Sequence, residues 1–226
     1  MASRKPIVGV CLPDKGNFFA YIFIKFNLYL QNAKAVKLKP SKKNRDINKL
    51  DAVILSGGND INPSLYGEDK DAHNTPLDTK RDSFELEVLN QAYKRQIPIL
   101  GICRGAQLIN IYFKGNLYPT ILDLDEYIIH KNSIFPIKKV FIKRFSKLFK
   151  IVKKEEVVAN SIHNQAIKDV GEDLKVTAKH DKIIEAIEKV DYPFLLGVQW
   201  HPEYLVYLEE HRKIFTPYYF SFSSSS

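Results

Sequence analysis

The chain has 226 residues, a net charge of +8, 45% hydrophobic and 27% charged residues, which suits one soluble α/β domain with a substantial core. Its 2 cysteines, Cys11 and Cys103, lie far apart and form no C-x-x-C, so neither a structural zinc site nor a disulfide framework is indicated and a reducing, cytoplasmic setting is expected. The basic residues are spread widely, which argues against nucleic acid as a partner.

In chain order, Pro6 to Leu12 reads as a first buried strand, with Cys11 packed in it. Met1 to Lys5 is basic, but the apolar stretch after it is short and runs into Asp14 and Lys15, so no secretory leader is expected. Phe19 to Gln31 reads as a helix. It is rich in aromatics, yet its length, Lys25 and Asn27 argue against a membrane span, and no membrane partner is expected. Ala35 to Leu38 is a second strand, and Asp51 to Leu55 a third that ends in Ser56-Gly57-Gly58. A glycine pair at the end of a parallel strand lets backbone N–H groups approach a ligand, although the same pair alone also reads as a simple turn. A long polar connection, Asn62 to Thr79, leads into an amphipathic helix, Asp82 to Arg95.

Ile97 to Ile102 is a short apolar run, and Ala106 to Phe113 a largely apolar helix. Cys103 sits between them, flanked at two residues either side by Gly101 and Gly105. On a strand-to-helix turn a nucleophile stands clear of the sheet, and bulky neighbours at those two positions would clash. The helix after it points free N–H groups and its positive end at the sulfur, which favours the reactive thiolate, and the Arg104 N–H is placed to donate to an oxyanion.

Beyond this helix the texture changes to short strands at Val140–Ile142, Val157–Ser161, Leu174–Ala178, Ile183–Ile187 and Phe194–Gln199, some of them antiparallel. Between them, Lys143 to Lys154 is basic and amphipathic, and a solvated face on a short helix is the preferred reading over a helix lying on a membrane surface. The strand and helix alternation predicts a three-layer α/β sandwich, with a mostly parallel central sheet and helices on both faces. Residues 1–215 form the expected domain and 216–226 a frayed tail.

His201 and Glu203 come just after the last strand. In extended backbone two such residues face one way, so Glu203 could accept one imidazole N–H and leave the other nitrogen free. Cysteine, histidine and an orienting carboxylate make a nucleophilic triad, although His-x-Glu alone would read as a surface pair. Asn160-Ser161-Ile162-His163-Asn164-Gln165 is a third polar cluster, in which His163 serves either a ligand or its own loop. His73, His130, His180 and His211 show no metal spacing, and no metal site is expected.

Five segments in order carry a resemblance: Ser56 to Glu68, Arg81-Asp82-Ser83-Phe84-Glu85, Gly101-Ile102-Cys103-Arg104-Gly105, Asn160 to Ala166, and Gly197-Val198-Gln199-Trp200-His201-Pro202-Glu203. Together they resemble a class I glutamine amidotransferase domain, more narrowly the gamma-glutamyl-gamma-aminobutyrate hydrolase family. The resemblance implies the flavodoxin-like amidotransferase fold and a hydrolase of gamma-glutamyl amides that needs no cofactor. It implies Cys103 as nucleophile, His201 as base and acid, Glu203 as its orienting group, and the N–H groups of Gly58 and Arg104 as the oxyanion hole. It further implies substrate contacts at Gly57, Gln107, Ser161 and His163. The segment Lys114 to Thr120 departs from the family's pattern. So does the C-terminal region, where Pro217 interrupts the stretch beyond Glu210.

The implied partner is a small gamma-glutamyl substrate, in a chain that acts alone or as a homodimer. Two other readings accompany it. One is a glutaminase subunit that passes ammonia to a separate synthase, and the other a non-catalytic binding protein of the same fold.

Overall fold

The computed structural model describes residues 4–42, 46–68, 77–124 and 131–216. Short apolar runs become β1 (Ile7–Cys11), β2 (Lys34–Leu38), β3 (Ala52–Leu55) and β4 (Ile99–Ile102), with α1 (Phe18–Leu30) and α2 (Thr79–Lys94) between them. α2 begins where the Asp78 carboxylate accepts from Arg81 N at 3.0 Å, a side-chain cap on an otherwise unpaired donor. α3 (Arg104–Tyr112) comes directly after β4, two residues earlier than the apolar pattern suggested.

The second half adds β5 (Leu117–Tyr118), β6 (Ser133–Ile142), α4 (Lys147–Val152), β7 (Glu156–Ser161), β8 (Ala166–Ile167), β9 (Leu174–His180), β10 (Ile183–Lys189), β11 (Leu195–Val198) and α5 (Glu209–Lys213). Among the described residues, 9 strands form one sheet in the order β2-β1-β3-β4-β11-β10-β9-β6-β7, and β5 pairs with β8 apart from it. Strands β2, β1, β3, β4 and β11 run parallel, and from β10 outward each pairing is antiparallel. The parallel half carries the two strand ends that matter most, since β4 and β11 are neighbours in register from Leu195↔Ile99 to Val198↔Ile102.

β6 is longer than expected. Pro136 hid its first half, because a proline within a run argues against a strand. The proline sits where the β6–β7 register shifts, between Ser133↔Ser161 and Lys138↔Ala159, which is the kind of irregularity that tolerates a missing N–H.

Side-chain alternation divides the core between the two faces. Val8, Val10 and Ile54 belong to one cluster that also holds Ile24 and Leu28 of α1 and Leu148 and Ile151 of α4. Val53, Leu55 and Ile99 point the other way, against Phe84, Val88 and Leu89 of α2 and Leu108 and Ile109 of α3. The three-layer sandwich is therefore present, and Cys11 is fully buried in the second of these clusters. The basic Lys143–Lys154 stretch contains α4, whose Leu148, Ile151 and Val152 are buried. Among the described residues no helix is long and apolar enough to cross a membrane. The expected frayed tail lies, apart from Thr216, outside the described residues.

Candidate active site

The residue joining β4 to α3 is Cys103, with φ 51° and ψ −106°. That is a strained backbone for a residue with a Cβ, and such strain persists only where the surroundings fix it. They do so on both sides. Cys103 N donates to Val198 O at 2.7 Å, continuing the β4–β11 pairing, and its carbonyl accepts from Ala106 N at 3.0 Å and Gln107 N at 3.2 Å. The N–H groups of Arg104 and Gly105 therefore lie ahead of the first intrahelical bonds, at the positive end of α3. The close packing needs both flanking glycines. A Cβ on Gly105 would lie 2.1 Å from Leu55 O, and one on Gly101 2.6 Å from the Gly105 carbonyl.

Cys103 Sγ lies 3.6 Å from Ile162 O and 3.6 Å from Gln199 Nε2. Two residues after Gln199 comes His201, whose Nδ1 lies 2.8 Å from Glu203 Oε1. The pairing does not arise from extended alternation. β11 has already ended at Val198, and Pro202 opens a 3₁₀ turn, Pro202–Leu205, which brings the Glu203 carboxylate under the ring. Glu203 is fully buried and His201 nearly so. Burial opposes a charged imidazole, but the Glu203 carboxylate and the Cys103 sulfur outweigh it and raise the His201 pKa well above the ordinary value. Tyr204 stacks on the ring at 5.4 Å and 20°. Burial and the nearby Glu203 and Cys103 push its hydroxyl up to about 12, so it stays neutral.

Side chains from distant elements hold this turn. Asn160, at the end of β7, donates to His201 O at 2.9 Å and accepts from His201 N at 2.8 Å. Asn27 of α1 donates to Glu203 O at 3.2 Å. Neither asparagine has a local signature that announces these roles.

The Gly57–Gly58 strand end lies on the other side of the imidazole. A Cβ on Gly57 would fall 2.5 Å from His201 Cε1, and Gly58 adopts φ +153° against the Arg81 guanidinium. Arg81 Nη2 donates to Ser56 O and Gly57 O, both at 3.0 Å, and Asn17 Nδ2 donates to Gly57 O at 2.7 Å. Beneath them is a buried ion network. Arg81 bonds Glu85 at 2.7 Å, and Arg104 bridges Asp82 and Glu85. The Arg81-Asp82-x-x-Glu85 segment thus fastens the glycine strand, and the Arg104 side chain fastens the elbow helix to it.

A cavity of about 300 Å³ is lined by Gly58, Asn59, Asp60, Asn132, Ile162, His163 and Asn164. Of the residues expected to meet a substrate, His163 lines it and the other three stand behind. Gly57 packs on His201. Gln107 is buried, its Nε2 donating to Gln165 O at 2.9 Å and Gln199 Oε1 at 3.2 Å. Ser161 accepts from Lys138 Nζ at 3.2 Å.

Residues 33–203 match the family described as Peptidase C26. The chain belongs to the Peptidase C26 family. Within the wider similarity, a Schizosaccharomyces pombe relative is 40% identical over 168 residues, covering 72% of this chain and 65% of its own length. The glutamine amidotransferase-like protein YvdE of Lactococcus lactis is 39% identical over 159 residues, covering 68% of this chain and 66% of YvdE. The chain thus spans just under two thirds of the length of these curated relatives. The Escherichia coli gamma-glutamyl-gamma-aminobutyrate hydrolase PuuD is 32% identical over 177 residues, covering 74% of this chain and 69% of PuuD. Among solved structures, a glutamine amidotransferase from Thermotoga maritima superposes with a TM-score of 0.62 at 17% identity, over 89% of this chain and 77% of that one. The glutaminase domain of Trypanosoma brucei CTPS does so with 0.63 at 15% identity, over 96% and 94%. At these identities the structural likenesses show the fold alone, an α/β sandwich shared with those proteins.

Proposed function

We propose that this C26 protein hydrolyses gamma-glutamyl amides through a glutamyl-thioester on Cys103. The observation that carries the reading is Cys103 on its strained elbow with the His201–Glu203 pair beside it, in a chain similar to PuuD. His201 takes the thiol proton, and the sulfur attacks the gamma carbonyl carbon. The N–H groups of Gly58 and Arg104 stabilise the oxyanion that forms. The C–N bond breaks as His201 returns the proton to the leaving amine, and a glutamyl-thioester remains on Cys103. Water then gives a proton to His201 and attacks the thioester, releasing glutamate and restoring the thiol. Glu203 orients the ring and stabilises the imidazolium in both halves.

The test is release of amine from a panel of gamma-glutamyl amides, glutamine and gamma-glutamyl-gamma-aminobutyrate among them, by wild type and Cys103→Ala. Turnover that disappears with Cys103→Ala is expected, and the best substrate names the amine. Folded protein inactive on every substrate would overturn the reading.

A further inference from the structure

Behind the cavity, at the junction of β6, β7 and β10, lies a buried polar cluster that the proposed reaction does not use. Its centre is Lys138, only 7% exposed. Its ammonium meets Glu185 Oε1 at 2.5 Å, Ser161 Oγ at 3.2 Å and His163 Nε2 at 3.4 Å. Glu185 is fully buried, and its second oxygen has no hydrogen-bond partner among the described residues. A buried lysine with one carboxylate is a costly arrangement, and replacing both by apolar groups is often neutral for stability. The cluster's geometry suggests what it does.

Ser161 and His163 flank Ile162, whose carbonyl lies 3.6 Å from Cys103 Sγ. Lys138 thus grips the residues on either side of the one that touches the sulfur. Another contact of Sγ, Gln199, is tied to the same place, since Gln199 N donates to Glu185 O at 2.8 Å. The cluster also dictates the proton on His163. An ammonium has donors only, so Nε2 must accept. A carbonyl has acceptors only, and Nδ1 lies 2.9 Å from Gln165 O, so Nδ1 carries the hydrogen. The ring that lines the cavity is therefore neutral and held in one tautomer.

We propose that Lys138 is a positioning residue, which clamps the loop over the nucleophile and fixes His163 as its Nδ1–H tautomer. The inference rests on the proposed function only in taking Cys103 as the nucleophile.

Three proteins test it: wild type, Lys138→Arg, and a Lys138→Met/Glu185→Gln pair that leaves no unpaired charge. Nitrogen-15 NMR of the histidine rings should show His163 in wild type as the neutral Nδ1–H form, and in the double variant as a mixture. With the loop released, alkylation of Cys103 by iodoacetamide should quicken about tenfold and kcat/KM should fall about tenfold, the scale of a small misplacement. Lys138→Arg, which keeps donors and charge, should stay near wild type in alkylation. Wild-type His163 found as Nε2–H or as imidazolium would overturn the proposal. So would a folded double variant with unchanged tautomer and alkylation. Should the double variant not fold, the wild-type tautomer and the Lys138→Arg alkylation rate decide. If wild type cleaves no gamma-glutamyl amide, the proposed function falls, while the tautomer and alkylation still judge this one.

Discussion

The side-chain amide of Asn160 brackets the backbone of His201, giving a hydrogen to its carbonyl at 2.9 Å and taking one from its N–H at 2.8 Å. It stands in for the strand partner that His201 lost when the chain left β11. The imidazole is thus placed from behind by a residue 41 positions away. Asn160→Leu would leave the buried His201 N–H unpaired and His201 O with only Tyr204 N at 3.3 Å, a loss of roughly 1–3 kcal/mol, and free the turn. Steady-state kinetics should show kcat down about a hundredfold with KM little changed. A folded variant with wild-type kcat would show that the turn holds itself.

Glu203→Gln keeps the shape and removes the charge under the ring. By the role assigned to Glu203, kcat should fall by roughly three orders of magnitude. The variant should also change how stability depends on pH. In wild type the His201 pKa is raised above its ordinary 6.5 in the folded state. The stability this contributes is fully present below the unfolded value and is lost as pH rises through the folded one. Urea unfolding between neutral and alkaline pH should show that decline in wild type and a flatter profile in Glu203→Gln.

Gly57→Ala and Gly105→Ala should fail in different ways. A methyl on Gly57 meets the edge of the His201 ring at 2.5 Å, so the imidazole moves while the fold stays. We expect kcat/KM to fall about a hundredfold with little change in the urea midpoint. A methyl on Gly105 meets the backbone oxygen of Leu55 at 2.1 Å, and α3 must lift from β3. There the loss should be stability, about 1–3 kcal/mol or more. Equal midpoints for the two variants would contradict this division.

How much of the fold and the site was legible in the sequence depends on the range of the interactions. The elbow is local: a strand, Cys103 between two glycines, and a helix. The parallel half of the sheet is likewise written in alternating short runs. The His201–Glu203 pair was visible, though for the wrong local reason, since a 3₁₀ turn rather than an extended strand brings the two groups together. Lys138 was not visible. A lysine in an alternating strand reads as solvent-facing, and only the fold brings Glu185, 47 residues on, to cover it. Gln107 shows the converse, a polar residue in an expected contact position whose amide is spent on Gln165 and Gln199. The first half of β6 was hidden by a proline that the register shift accommodates.

His211 gives a test of the fold that is independent of chemistry. Trp200 Nε1 donates to its Nδ1 at 3.2 Å, and its Nε2 lies 2.9 Å from Val158 O, which fixes a neutral ring hydrogen-bonded on both sides. Burial holds its pKa down at about 4. The unfolded chain, with the ordinary value of 6.5, therefore binds a proton before the folded one does. Stability from this group is complete above 6.5 and is lost as pH falls through the window down to about 4. Its size is about 3 kcal/mol by the usual conversion. His211→Gln, which offers a donor and an acceptor but does not titrate, should remove that acid-side loss and leave the alkaline-side decline due to His201 in place. A wild-type stability that is flat between these pH values would show that the ring is not held neutral.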